Sequence, residues 1–119
     1  MSIETAVQKI LQLEPNILAI AVINTQGNVI FQTNNWDISP DIAGILQVWN
    51  TGGGGSLSVQ EVNYLALEVI PERIVATNVR GQGHIVAVRV RSGAVIAYIS
   101  PQGDARSGLT ALIEGTRGL

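Results

Sequence analysis

The seven residues Ile17–Ile23 form the longest unbroken apolar run in the chain. A run this rich in β-branched side chains reads as a strand, and one with no polar face reads as a strand covered on both sides. It is about a third of the roughly 20 residues that a membrane crossing needs. The fold must therefore supply layers for both faces of a sheet. Gln26-Gly27-Asn28 follows as turn chemistry and Val29–Gln32 as a returning strand, so residues 17–33 read as a hairpin.

The second half reads as a meander. Val62–Val69 and Arg73–Val79 have strand composition, with Pro71 at the turn or bulge between them. Gly81-Gln82-Gly83 turns the chain into His84–Arg91, and Ser92-Gly93 turns it again into Ala94–Ser100. Along His84–Arg91, alternation puts His84, Val86, Val88 and Val90 on one face and Ile85, Ala87, Arg89 and Arg91 on the other. Connections this short leave no room for crossover helices, so the strands pair mainly antiparallel.

Three segments carry helical spacing instead. Ile3, Val7, Ile10 and Leu11 form a stripe within residues 3–13, with Ser2 as the cap and Glu4 in the first turn, where the helix dipole favours a carboxylate. Pro15 stops it. Ser39-Pro40-Asp41 supplies an N-cap, a proline at the first helical position and an acid in the first turn. Ile42, Ile45, Leu46 and Trp49 follow at helical spacing, and this helix ends before Gly52–Gly55. Pro101-Gln102-Gly103-Asp104 caps a last helix with Leu109, Leu112 and Ile113 on one side. The order is helix, two strands, helix, four strands, helix. That is an α+β arrangement: a mainly antiparallel sheet of about six strands with helices packed on both faces. With 119 residues, positions 1–119 read as one domain.

Charge narrows the function classes. Charged residues make up 13% of the chain, and the net charge is −2. No basic cluster exists, which argues against nucleic acid as a partner. Up to residue 70 there is one base against six acids; afterwards six arginines (73, 80, 89, 91, 106 and 117) face three acids. There is no cysteine, hence no disulfide framework and no thiolate chemistry. The N-terminus shows no basic segment before an apolar stretch, so no signal peptide is expected. A soluble, cytoplasmic protein without a transmembrane segment is the default reading.

Catalytic readings find little support. Gly52–Gly55 lacks the following lysine and helix of a phosphate loop, and reads as a flexible connector into a strand pattern. Gly81-x-Gly83 joins two strands rather than a strand and a helix, which disfavours a dinucleotide site. His84 is the only histidine and its nearest acid in sequence is Glu72, so it reads as structural or as a surface residue. Ser56, Ser58 and Ser92 sit in turn contexts without a triad signal. Trp49 completes a helical stripe and reads as core. Trp36, in the Asn34–Ser39 loop, reads as folded over the sheet edge. No enzyme activity and no cofactor or metal is expected. Arg73, Arg80, Arg89 and Arg91 fall on adjacent antiparallel segments, so some should lie together. They read equally well as a docking face or as charges that blunt a solvated sheet edge.

The element order and local strings resemble profilin, over nearly the whole chain. AIAVINTQGNVIFQTNNW (19–36) is similar to that family's first hairpin, and SPDIAGILQVW (39–49) to its proline-led helix. EVNYLALEVIPERIVATNVRGQGHIVAV (61–88) resembles its Gly-x-Lys-Tyr strand, next hairpin and glycine-rich turn. AVIAYISPQGDARSGLTALIEG (94–115) resembles its last strand and C-terminal helix. Short and divergent, the chain looks like an archaeal-type profilin. The resemblance implies a monomeric, cytoskeletal protein that binds actin monomers and regulates filament assembly. It places the actin face on the later strands, the family's third helical region and the C-terminal helix, with Glu72, Arg73, Arg80, Arg89, Arg91 and Glu114 as the polar candidates. Departures carry weight. The family's strand lysine is Asn63 here, although Tyr64 is retained, and its later basic pair is Asn78-Val79. The family docks polyproline on aromatics of the terminal helices and a tryptophan of the second strand. Residues 3–13 and 104–119 contain no aromatic and the strand position is Ile30 or Phe31, so weak or absent polyproline binding is expected. Phosphoinositide binding is left open, without a basic cluster to support it. A roadblock- or longin-like dimeric scaffold for small GTPases shares the element order and is the alternative.

Overall fold

The computed structural model describes residues 2–33, 36–52 and 55–119. Three helices, α1 (Ile3–Leu13), α2 (Ile42–Thr51) and α3 (Ala105–Gly115), pack on one seven-stranded sheet. Its strands are β1 (Ile17–Asn24), β2 (Val29–Gln32), β3 (Ser56–Val59), β4 (Val62–Ile70), β5 (Arg73–Thr77), β6 (His84–Val90) and β7 (Gly93–Ile99). They lie in the order β2-β1-β7-β6-β5-β4-β3, and every pairing is antiparallel. From β3 to β7 each strand pairs with its successor in sequence. The β1–β7 ladder, which sets Ile17 opposite Ile99 and Asn24 opposite Gly93, ties the first hairpin onto that meander. The backbones meet so closely there that a Cβ on Gly93, at φ +152°, would overlap the Ile23 carbonyl oxygen.

The apolar run Ile17–Ile23 behaves as its composition requires except at Leu18, which is 59% exposed. Ile17 and Ala19–Ile23 are buried. Ala19, Ala21 and Ile23 enter the core under α2, together with Trp36, Ile38, Trp49, Leu57, Tyr64, Ile85 and Ala87. Ile20 and Val22 enter the core under α1 and α3, with Val7, Ile10, Val86, Val88, Leu109 and Leu112. Helices therefore cover both faces, and the alternation read along β6 holds. Trp36 is 8% exposed, folded into the α2-side core.

Side-chain caps explain several element ends. Ser2 Oγ accepts the Thr5 N–H at 3.1 Å at the start of α1, and an Asp104 carboxylate oxygen accepts the Ser107 N–H at 3.2 Å at the start of α3. Asn24 Oδ1 accepts from the N–H groups of Gln26 and Asn28 in the first hairpin turn. Asn78 Oδ1 does the same for Arg80 and Gln82 in the β5–β6 turn. Gly52, left-handed at φ +63°, ends α2 with its N–H on the Val48 carbonyl.

Three expectations need correction. The sheet has seven strands rather than about six, because Ser56 and Ser58 lie on β3 and not in turns. The β3–β4 turn is Gln60-Glu61, with φ +52° and +66°, so it carries none of the glycine, asparagine or aspartate that announces such a turn. Ser39 caps nothing: Ser39–Asp41 is a single 3₁₀ turn and α2 begins at Ile42. The nearby carboxylates serve other partners there. Asp37 Oδ1 accepts the Ser39 N–H at 3.0 Å, and Asp41 Oδ2 accepts the Gln60 N–H at 3.0 Å, which docks the β3–β4 tip onto this turn. Finally, β5 ends at Thr77 and β6 at Val90, slightly earlier than read. Asn34 and Asn35 of the loop, and Gly53 and Gly54 of the connector, lie outside the described residues.

Candidate functional site

The helix α3 rests on β5, β6 and β7. Its close approach depends on Gly108, where a Cβ would overlap the Ile99 side chain. Alternation decides what the same sheet face shows further out. Tyr64 belongs to the α2-side core, so Leu65 points to the α3 side, opposite Thr77. Leu65 is 45% exposed. Leu67 is 59% exposed and sits where the β4–β5 register shifts, without a partner on β5. These two leucines make an uncovered apolar pair on β4.

Beside them lies an ion pair. Arg73 donates from Nη2 to Glu68 Oε2 at 2.9 Å and from Nε to the same oxygen at 3.2 Å, with both side chains about one-third exposed. Next comes a shallow depression of about 270 Å³, lined by Glu72, Arg73, Val88, Arg89, Ile113 and Thr116. Ile113, on the last turns of α3, is 39% exposed. From Leu67 to the sheet end where β5 starts and β6 finishes, apolar contact area thus adjoins charges of both signs, while Leu65 lies further along β4 toward the other end, opposite Thr77. Such a surface suits protein docking, where apolar burial supplies affinity and charges select register.

The six polar candidates separate. Glu72, Arg73 and Arg89 share the depression. Arg91, at the β6–β7 tip, borders a second hollow of about 250 Å³ with Arg89, Asn24 and Leu46. Arg80 sits in the β5–β6 turn, at the opposite end of the sheet from Arg73. Glu114 faces α1 across a groove shared with Leu13, Glu14 and Thr110. Arg117 donates to it at 2.8 Å, and this hydrogen bond, with the guanidinium charge behind it, lowers the Glu114 carboxyl below its usual range.

Arg89 is tied down. Its guanidinium carbon lies 4.4 Å from the centre of the Trp49 ring. Its Nε donates to the Pro71 carbonyl at 2.8 Å, and Nη2 to Asn50 Oδ1 at 3.3 Å. Trp49 Nε1 donates to the Ile70 carbonyl at 2.8 Å. The side chain therefore latches the β4–β5 turn to the end of α2, through a cation–π contact and a charge-assisted hydrogen bond.

Sequence reasoning did not single out the exposed Leu65 and Leu67. Their signal was available: Val62–Ile70 is apolar on both faces, yet a last helix over the middle of the sheet cannot also cover a strand near its edge. His84 Nδ1 lies 2.8 Å from Thr77 Oγ1, a hydrogen bond in which either atom can donate, which fits the structural reading. Among the described residues, no group of three His, Asp or Glu is placed to hold a metal ion. No helix among them is long and apolar enough to cross a membrane.

Comparison with known proteins places this geometry among relatives. No protein-family model matches the chain. Loki profilin-1 of Lokiarchaeum sp. is 35% identical over 113 residues, covering 87% of this chain and 84% of that protein. Odin profilin of Odinarchaeota yellowstonii is 41% identical over 93 residues, covering 77% of this chain and 76% of the relative. The profilin in a solved LokiProfilin2/rabbit actin complex superposes with a TM-score of 0.87 at 34% identity, over 98% of this chain and 96% of that one.

Proposed function

Since this chain belongs to the profilin family, and is similar to its archaeal members, we propose that it binds actin monomers and regulates their assembly into filaments. The observation that carries the reading is the open stretch of β4 beside α3, where Leu65 and Leu67 stand exposed and Leu67 adjoins the Glu68–Arg73 pair. A relative with the same fold was solved in complex with rabbit actin. The contact face is taken to run from β4 over the Glu72–Arg73 corner to Ile113. Arg80 and Arg91 sit outside its centre, Glu114 borders it on α3, and Arg89 supports it from behind.

The mechanism is steric and electrostatic. The apolar pair and the helix end bury against the partner, and Glu72 and Arg73 select the register. A monomer so covered is withheld from nucleation. This chain makes and breaks no bond in that process. Its place of action is the cytoplasm, where the partner is. The similarities run to profilins, so the dimeric GTPase-scaffold alternative is not retained. Weak or absent polyproline docking remains the expectation, since neither α1 nor α3 carries an aromatic side chain. Phosphoinositide binding stays open and unsupported. The test is the polymerisation time course of fluorescently labelled rabbit actin with excess protein. A delayed onset is expected, and an unchanged time course at high excess overturns the reading.

A further inference from the structure

The other side of the molecule holds a second candidate surface. Among the described residues, β3 is the last strand of the sheet and pairs on one side only. The two-residue turn Gln60-Glu61 makes Val59 and Val62 a hydrogen-bonded pair, and the Ala66 N–H to Gly55 carbonyl bond at 2.9 Å fixes the same parity further along. The main-chain N–H and C=O groups of Ser56 and Ser58 therefore point away from β4, toward the open edge. Alongside that edge runs α2. Between them lies a groove of about 450 Å³, lined among others by Asp41, Gly44, Val48, Ser56, Leu57 and Ser58.

Gly44 is the second observation. It sits inside a helix, where glycine is less favourable than alanine by about 0.5–1 kcal/mol. Its φ is not left-handed, and a Cβ built on it would meet nothing within 4 Å. The fold itself has no need of a glycine there. The missing side chain leaves the α2 wall of the groove open, with room for an occupant.

We propose that this groove binds an extended peptide segment of a partner protein, which adds to β3 as an eighth strand and lies against α2. Main-chain hydrogen bonds from Ser56 and Ser58 supply the register, and an apolar side chain of the peptide packs near Val48 and Leu57. Asp41 is the charged residue of the groove lining; its Oδ2 accepts the Gln60 N–H, and the remaining carboxylate oxygen favours a basic residue of the peptide at that end. A single strand fits better than the β3 edge of a second copy, which would bring its own α2 to the same seam. The groove opens on the α2 side of the sheet and the proposed actin face on the α3 side, although Ser56 and Leu65 are paired across the β3–β4 ladder.

The test is a titration of ¹⁵N-labelled protein, followed by NMR, with an acetylated and amidated hexapeptide that alternates valine and threonine and ends in lysine. A matching peptide ending in glutamate is the comparison. Expected are saturable shifts and slowed hydrogen exchange at the Ser56 and Ser58 amides, with the lysine peptide binding more tightly. Gly44→Leu fills the groove, and is expected to weaken binding about tenfold or more while melting no lower than the unaltered protein. Four results overturn the proposal: no shift at Ser56 and Ser58 with either peptide at millimolar concentration, shifts centred elsewhere, Gly44→Leu binding as before, or the same amides shifting with protein concentration alone, which makes the occupant a second copy.

Discussion

Truncating the two exposed leucines is the sharpest probe of the proposed actin face. Fully burying a leucine contributes about 1.5–3 kcal/mol. Leu65 and Leu67 are already half-buried, at 45% and 59% exposure, so covering the remainder of each is worth ~1 kcal/mol. The Leu65→Ala, Leu67→Ala double variant should lose ~2 kcal/mol of binding free energy, or about thirtyfold in Kd. Stability should change little, because neither side chain belongs to the core on either sheet face. Leu18 provides the control: it is also 59% exposed, but lies on β1 near the other edge of the sheet. Titration calorimetry against rabbit actin, held monomeric at low salt, reads all three proteins. The reasoning is refuted if the double variant binds within about twofold of the unaltered chain, or if Leu18→Ala weakens binding as much.

Three further outcomes are expected. Arg89→Ala should lower stability by about 1 kcal/mol in urea unfolding, through loss of the Trp49 contact and the bond to Pro71; Arg89→Lys should rescue it incompletely, because an ammonium cannot reproduce the planar stack. Glu61→Gly should raise stability by about 1 kcal/mol by relieving the left-handed backbone at φ +66°, and an unchanged melting temperature counts against strain in the β3–β4 turn. Asp104 has its carboxyl lowered by hydrogen bonds from the Ser107 side chain and backbone. A group depressed on folding adds stability above its unfolded value of about 3.9 and loses it as pH falls through the lower folded value. Acid unfolding below about pH 4 should therefore be shallower in Asp104→Asn, which keeps a neutral cap acceptor, and equal slopes contradict this.

What the sequence disclosed follows from whether each signal was local. The two-faced burial of β1, the alternation of β6 and the Asp104 cap depend on neighbours in sequence, and all are present. β3 escaped because its turn residues, Gln60 and Glu61, hold a conformation they do not prefer, with hydrogen bonds to Asp41 and to the Asp37 carbonyl supporting it. Ser39 looked like a cap until competing carboxylates were in view. The arginines show the limit most clearly. Adjacent antiparallel segments bring residues to one place only when they sit at matching ends, so Arg73 and Arg89 border one depression, from opposite faces of the sheet, while Arg80 lies a strand's length away. The latch from Arg89 to Trp49 joins positions 40 residues apart in sequence, and no spacing rule reports it.

The β1–β7 ladder has a consequence for how the chain is made. During synthesis the N-terminal hairpin leaves the ribosome first, carrying Ile20, Val22 and Ile23 on a strand whose principal partner is β7. The meander can form hairpin by hairpin as it emerges. The first hairpin cannot complete its pairing until Ala94–Ile99 has been translated, so it waits with apolar side chains and one ladder edge unsatisfied. Nascent-chain arrest before residue 94 should leave β1 accessible to chaperones and proteases, and release past residue 99 should close the sheet in one step.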